Sequence, residues 1–114
     1  QIPLPFNMRF DKLKRYKPLI LNDIKKTDSE NPIKMTALAN RYGINSRVVR
    51  DVINELRSLD GQPVCGDNKG YYWPKYKQEW ERTAARLGSY VKRIREAIDG
   101  GNSYYNEDNQ GNLF

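Results

Sequence analysis

The sequence predicts an α+β protein in which short helices come first, a β-hairpin follows them, and one long helix follows the hairpin. Apolar residues recur at helical spacing from Leu19 to Leu56, and two short strand-like segments then flank a glycine-bounded tip. Residues 75–99 form one helical pattern without proline. We therefore expect an extended arm at 1–10, a folded domain at 11–74, the long helix at 75–99 and a flexible tail at 100–114.

The first two helices are predicted from their breaks as much as from their apolar residues. Pro18 suits the first turn of a helix that runs to about Lys26. The pair Asn31-Pro32 blocks continuation, and a second helix is expected from Lys34 to Tyr42. Gly43 follows where a helix ends in a left-handed turn.

The third helix, from Arg47 to about Leu59, has Ser46 as its expected N-cap. Its apolar residues have the spacing of one buried stripe: Val49, Val52, Ile53 and Leu56. At about 100° per residue, the opposite face carries Arg47, Arg50, Asp51, Asn54 and Ser58. Side chains of these types can hydrogen-bond base edges and phosphates.

The hairpin is expected to have strands at Gln62–Cys65 and Tyr71–Pro74, joined by a tip at residues 66–70. Tyr72 and Trp73 could stack on bases, but aromatic residues in a hairpin more often pack in the core. Cys65 is expected to be a small buried residue.

Composition favours a binding protein over an enzyme. Among 114 residues there are 20 Lys and Arg against 14 Asp and Glu, a net charge of +6, which favours polyanionic partners. The sequence contains no His and no glycine-rich phosphate loop, so we expect neither catalysis nor a cofactor. A nuclease would need acidic residues that converge on a metal, and no such cluster is apparent in the sequence.

The single Cys65 can form no internal disulfide and has no second thiol for a metal site. A reducing, cytoplasmic location is the expectation. The sequence has no apolar run long enough to cross a membrane, so no membrane partner is expected.

Residues 35–56 resemble the helix-turn-helix signature, with the small Ala39 and the turn residue Gly43 in their places. With the hairpin added, residues 17–74 resemble winged helix-turn-helix domains (three helices plus a β-hairpin wing). Residues 50–74 are similar to small winged-helix proteins of bacteriophages and prophages. This resemblance implies that the helix beginning at Arg47 enters the major groove of duplex DNA. The DNA-binding residues that it implies are Lys34, Ser46, Arg47, Arg50, Asp51, Asn54, Asn68 and Lys69.

The expected function is sequence-preferring binding of double-stranded DNA, in transcription regulation or as a replication accessory factor, associated with the nucleoid of a bacterial host. The alternative is a protein-interaction adaptor that uses the same fold, because an outward polar face is also what any solvated helix has.

The long helix carries a narrow apolar seam: Trp80, Ala84, Leu87, Val91, Ile94 and Ile98. These six residues are spaced by alternating steps of four and three, which is typical of a coiled coil. The seam predicts dimerisation through the same helix of a second copy. The alternative is that the helix folds back over the domain to meet Phe6, Phe10 and Leu13.

The last five residues, Gln110-Gly111-Asn112-Leu113-Phe114, resemble the peptide by which bacterial replication and repair proteins dock on the sliding clamp. The resemblance implies that Gln110 enters a polar pocket and that Leu113 and Phe114 fill an apolar cleft. The bacterial sliding clamp is therefore an expected partner. Chance agreement with so short a motif, or packing of Leu113 and Phe114 on their own domain, is the alternative.

Overall fold

The structure is a computed structural model that describes the backbone of residues 5–106 and the side chains of residues 12–106. It confirms the α+β class: four helices accompany a two-stranded antiparallel sheet, and the last helix is the longest. In chain order the elements are α1 (Pro5–Lys25), α2 (Met35–Tyr42), α3 (Ser46–Ser58), β1 (Cys65–Asp67), β2 (Gly70–Tyr72) and α4 (Lys77–Asn106). The chain divides into two compact units, of which the first ends at Trp80 and the second begins at Glu81.

Helix α1 is longer than the sequence predicts, and Pro18 lies inside it. The expected extended arm is therefore wrong for residues 5–10, and residues 1–4 lie outside the described part. An internal proline costs a helix about 3 kcal/mol, because it removes a backbone hydrogen bond. Leu13, Ile20 and Ile24 are all buried in the core, and burial of each side chain contributes roughly 1.5–3 kcal/mol. Burial on both sides of Pro18 thus outweighs the local preference to start a helix there.

The turn between α2 and α3 confirms one expected cap and corrects the other. Gly43 has φ 63° and its N–H donates to the carbonyl of Ala39, as expected for a left-handed helix end. The N-cap of α3 is Asn45, whose Oδ1 accepts a hydrogen bond from the N–H of Val48 at 2.9 Å. Ser46 is the first residue of α3, so its predicted role as N-cap is wrong by one position.

The two strands lie closer to the tip of the hairpin than the sequence predicts. Cys65 pairs with Tyr72 and Asp67 pairs with Gly70, so only Asn68 and Lys69 connect the strands. The Asp67 carboxylate accepts the N–H of Lys69 at 2.8 Å and closes this short connection. The expected five-residue tip is therefore a two-residue turn.

A further segment, which the sequence analysis does not predict, pairs with β2. Ile33 and Tyr71 exchange two backbone hydrogen bonds, each 2.8 Å long, in an antiparallel bridge. Gly70 permits this approach: a Cβ on it would stand 2.6 Å from the Ile33 carbonyl oxygen, and its φ of 144° is one that other residues rarely adopt. The hairpin is thereby tied to the residues that lead into α2.

The core of the first unit lies between α1, α2, α3 and the start of the hairpin. All four apolar residues of the α3 stripe are buried, as predicted, and so are Cys65 and Tyr72. Trp73 is half-buried and packs against this core, and the Lys25 ammonium lies 5.2 Å from the centre of its ring. The buried apolar cluster comprises Leu13, Ile20, Ile24, Leu38, Ala39, Val49, Val52, Ile53, Leu56 and Val64.

Helix α4 contains 30 residues and ends beyond its predicted limit. At its start, Glu79 accepts the N–H of Lys75 at 2.7 Å, which satisfies a donor that precedes the helix. The flexible tail predicted from residue 100 is wrong for residues 100–106, which are helical. Gly100 and Gly101 each cost about 1 kcal/mol relative to alanine, but extending an existing helix needs no new nucleation. Gln110, Leu113 and Phe114 lie outside the described residues.

No helix in the described range combines the length and the apolar character that crossing a membrane would require.

Candidate nucleic-acid interface

The outward face of α3 presents four polar side chains to solvent, of which Ser58 is in the last turn of the helix. Arg47, Arg50 and Asn54 are exposed, while the apolar stripe on the opposite side of the helix is buried. The helical period places the three within about 60° of one another around the axis. Burial of the stripe therefore fixes which face of α3 is accessible, and that face carries two guanidinium groups and an amide.

Two predicted site residues are less accessible than these three. Ser46 and Asp51 are both half-buried. Asp51 lies on the same outward face by the helical period, but its partial burial makes it less accessible to a ligand than Arg47 or Arg50.

Arg50 lies where three segments that are distant in sequence meet. Its Nη1 atom is 4.0 Å from the Sδ atom of Met35, at the start of α2. Its positive charge also acts on Tyr71 in β2, where burial nevertheless raises the pKa of the phenol above its usual value. Since Ile33 pairs with Tyr71, the chain just before α2, the middle of α3 and the second strand form one continuous surface.

Lys34 and Lys69 belong to this surface. Both side chains are exposed, as is that of Asn68 in the turn. A Cβ on Gly70 would be 3.1 Å from the backbone nitrogen of Lys34, so the backbones that carry the two lysines are neighbours. The structure thus brings together the backbones of two lysines that 34 intervening positions separate in the sequence.

Several carboxylates of the first unit are held by cations outside this surface. Lys17 Nζ lies 3.4 Å from the Glu55 carboxylate and 3.1 Å from that of Asp60. Arg41 lies 3.1 Å from Asp23, and Lys75 lies 3.5 Å from Asp28. None of these four carboxylates pairs with Arg47 or Arg50, so they do not neutralise the outward face of α3.

Arg57 is a positioning residue that the sequence analysis did not identify. Its Nε donates a 2.9 Å hydrogen bond to the carbonyl of Val64, immediately before β1. Burial lowers the pKa of this guanidinium below its usual value. Arg57 thus ties the end of α3 to the hairpin, and no local pattern could have distinguished it from Arg47 or Arg50, because its partner follows a chain reversal.

The side chains that this surface exposes can bind hydrogen-bond acceptors and anions. Within residues 12–106, no group of three or more Cys, Asp or Glu residues could hold a metal ion, and the sequence has no His. Exposed guanidinium, ammonium and amide groups can donate hydrogen bonds to phosphate oxygens and to base edges.

No protein-family model matches the chain, and comparisons with curated proteins and with solved structures also find no match.

Proposed function

We propose that the protein binds duplex DNA with sequence preference, through a winged helix-turn-helix domain, and catalyses no reaction. The observation that carries this proposal is the exposed face of α3, where Arg47, Arg50 and Asn54 are accessible together beside Lys34 and Lys69.

The fold interpretation is supported by the order and connections of the elements in the first unit. Helices α2 and α3 are joined by a tight turn with a left-handed Gly43, and a short hairpin follows α3. The bridge between Ile33 and Tyr71 joins that hairpin to the chain before α2, so the hairpin acts as a wing beside α3.

The binding mode follows from the dimensions of B-form DNA. Its major groove is about 12 Å wide and admits one α-helix. With α3 in that groove, Arg50 and Arg47 would donate to guanine and Asn54 to adenine, because these side chains match the major-groove edges of those bases. Lys34 and Lys69 would contact phosphates, which contributes affinity but no direct sequence information.

Pairing of two copies through the apolar seam of α4 is also part of the proposal. Two linked domains would bind two half-sites of an inverted repeat. Transcription regulation and assistance to DNA replication both require no more than such binding.

The experiment is selection of bound duplexes from a random library, followed by affinity measurements on the selected site. Arg50→Ala should lose on the order of 1–3 kcal/mol of discrimination at one base pair. Lys34→Ala and Lys69→Ala should weaken binding to all sequences alike and reduce the salt slope by about one each.

Lys14→Ala is the matched control. Lys14 is exposed and lines a groove with Lys17, Glu55 and Asp60, where two ammonium groups balance two carboxylates, and the proposed binding mode gives it no contact with DNA. Its removal should leave affinity nearly unchanged. If the library yields no preferred sequence, or if Lys14→Ala costs as much as Arg50→Ala, the proposed interface is wrong.

A second candidate function is docking on the bacterial sliding clamp, as an adaptor or in addition to DNA binding. The observation that favours it is the segment Gln110–Phe114, which follows the acidic Glu107 and Asp108 and contains two adjacent large hydrophobic residues. Such residues are costly in water unless a partner buries them.

Leu113→Ala and Phe114→Ala should each abolish clamp binding measured with the purified clamp. Asn112→Ala is the control, because it falls at a variable position of the peptide. Equal binding by all three variants would remove the clamp from the proposal.

A further inference from the structure

The described part of the second unit, residues 81–106, belongs to α4, and the apolar seam of this helix is open to solvent. From Leu87 to Ile98 the seam residues are between 36% and 63% exposed, and nothing in the described part of the chain covers them. A helix with a narrow, exposed apolar stripe is stabilised when another helix buries that stripe. The helix that buries the seam of α4 has to be identified, together with its direction relative to α4.

The charges of the residues that flank the seam indicate the identity and the direction of this partner helix. In coiled-coil terms Ala84, Val91 and Ile98 occupy one core position of the seven-residue repeat, and Trp80, Leu87 and Ile94 occupy the other. The residue that follows each of the second set, at seven-residue intervals, flanks the seam on one side. This row is Glu81, Gly88 and Arg95: a negative charge, no side chain and a positive charge.

We infer that α4 pairs with α4 of a second copy of this chain in the antiparallel direction, with Gly88 opposite Gly88. In an antiparallel pair the same flanking row of both helices lies side by side, so the Glu81 carboxylate of each copy faces the Arg95 guanidinium of the other. The row has a negative charge at one end and a positive charge at the other, at equal distances from Gly88. When a second copy of the row runs in the opposite direction, each carboxylate therefore lies beside a guanidinium. This inference rests on the proposed pairing of copies and adds its direction and register.

The same register fills the core between the helices. Leu87 of one copy packs against Val91 of the other, and Ala84 packs against Ile94, so each layer combines residues from the two core positions. Gly88 is exposed, and a Cβ on it would have no atom within 4 Å in the single chain. Opposite a second Gly88, the absence of a side chain lets the two backbones approach closely.

A parallel pair would not use these charges. There, Arg95 would flank Tyr90 of the second copy, and Glu81 would flank Tyr76. The ring of Tyr90 already has the guanidinium of Arg93 4.9 Å from its centre within the same helix. Only the antiparallel direction matches a carboxylate with a guanidinium on this row.

The test exchanges the charges one at a time in the full chain. Glu81→Arg places two arginines side by side at each end of the pair, and Arg95→Glu places two glutamates there. Each single variant should associate roughly tenfold more weakly than the original protein, measured by sedimentation equilibrium. An equimolar mixture of the two variants should form a heterodimer with near-original affinity, because both facing pairs are then opposite in charge.

The matched controls are Glu96→Arg and Arg82→Glu, which make the same charge changes on the side of α4 away from the seam. They should leave association unchanged, and circular dichroism on all variants checks that helix content is retained.

Three results would overturn the inference. A monomeric original protein would remove the pairing altogether, while DNA binding through α3 would still be judged by its own assay. A dimer insensitive to Glu81→Arg and Arg95→Glu would exclude this register. Weakening by both variants without recovery in the mixture would exclude the antiparallel direction.

Discussion

Gly70 allows a close backbone approach between the hairpin and the residues that lead into α2, and replacing it by alanine tests whether that approach supports the fold. The added Cβ would stand 2.6 Å from the Ile33 carbonyl oxygen and 2.8 Å from its carbon, distances at which backbone has to move. Retaining φ 144° in an alanine costs about 1–3 kcal/mol. Escaping the clash breaks the two Ile33–Tyr71 hydrogen bonds, each with a net contribution of about 0.5–1.5 kcal/mol.

Together these costs lead us to expect that Gly70→Ala lowers the free energy of unfolding by roughly 2–6 kcal/mol, a large part of the usual total of about 5–15 kcal/mol. Urea and thermal unfolding measure this loss, and hydrogen exchange should show faster exchange of the Ile33 and Tyr71 amides. Gly61→Ala is the matched control: Gly61 also has positive φ, 65°, but a Cβ there meets nothing within 4 Å, so only about 1–2 kcal/mol should be lost. If Gly70→Ala costs no more than Gly61→Ala, the reasoning about close approach is refuted.

Three further predictions concern single contacts of the first unit. Asn45→Ala should destabilise the protein by about 0.5–2 kcal/mol in urea unfolding, because it removes the N-cap of α3. Ser46→Ala should have a smaller effect. A larger loss for Ser46→Ala than for Asn45→Ala would contradict the assigned cap. Arg57→Met should cost about 1–3 kcal/mol, because it leaves the Val64 carbonyl without its donor. An unchanged unfolding curve would refute the tie between α3 and the hairpin. The N–H groups of Asn31 and Glu30 lower the pKa of Asp28, so its contribution to stability is present above the unfolded pKa of about 4 and is lost as pH falls through the folded value. Asp28→Asn should accordingly reduce stability at pH 6, and its effect should shrink as the pH falls below about 4. An effect that does not change with pH would contradict this assignment.

The parts of the fold that the sequence predicted correctly are those decided by local periodicity. The four buried residues of α3 recur at the spacing of one helix face, and the same pattern identifies Arg47, Arg50 and Asn54 as outward. The end of α2 at Gly43 was also predicted correctly, because a left-handed helix end favours glycine over other residues.

The parts that could not be predicted depend on contacts between distant residues. Pro18 is a sound local signal for a helix start, but α1 begins before it and buries Leu13 in the core. Asn45 and Ser46 are both good caps, so the choice between them depends on how α2 and α3 pack. The bridge from Ile33 to Tyr71 produces no periodic pattern in the sequence. Without the bridge, the sequence could not predict that the backbones of Lys34 and Lys69 are neighbours.

Methylation interference on the selected DNA site examines directly whether α3 contacts base edges in the major groove. Guanine N7 lies in the major groove and adenine N3 in the minor groove, so methylation at each position blocks a different approach. We predict that N7 methylation of specific guanines prevents binding by the original protein, and that Arg50→Ala becomes insensitive at one of them. Binding that tolerates every N7 methyl group would contradict the assignment of the α3 face to the major groove.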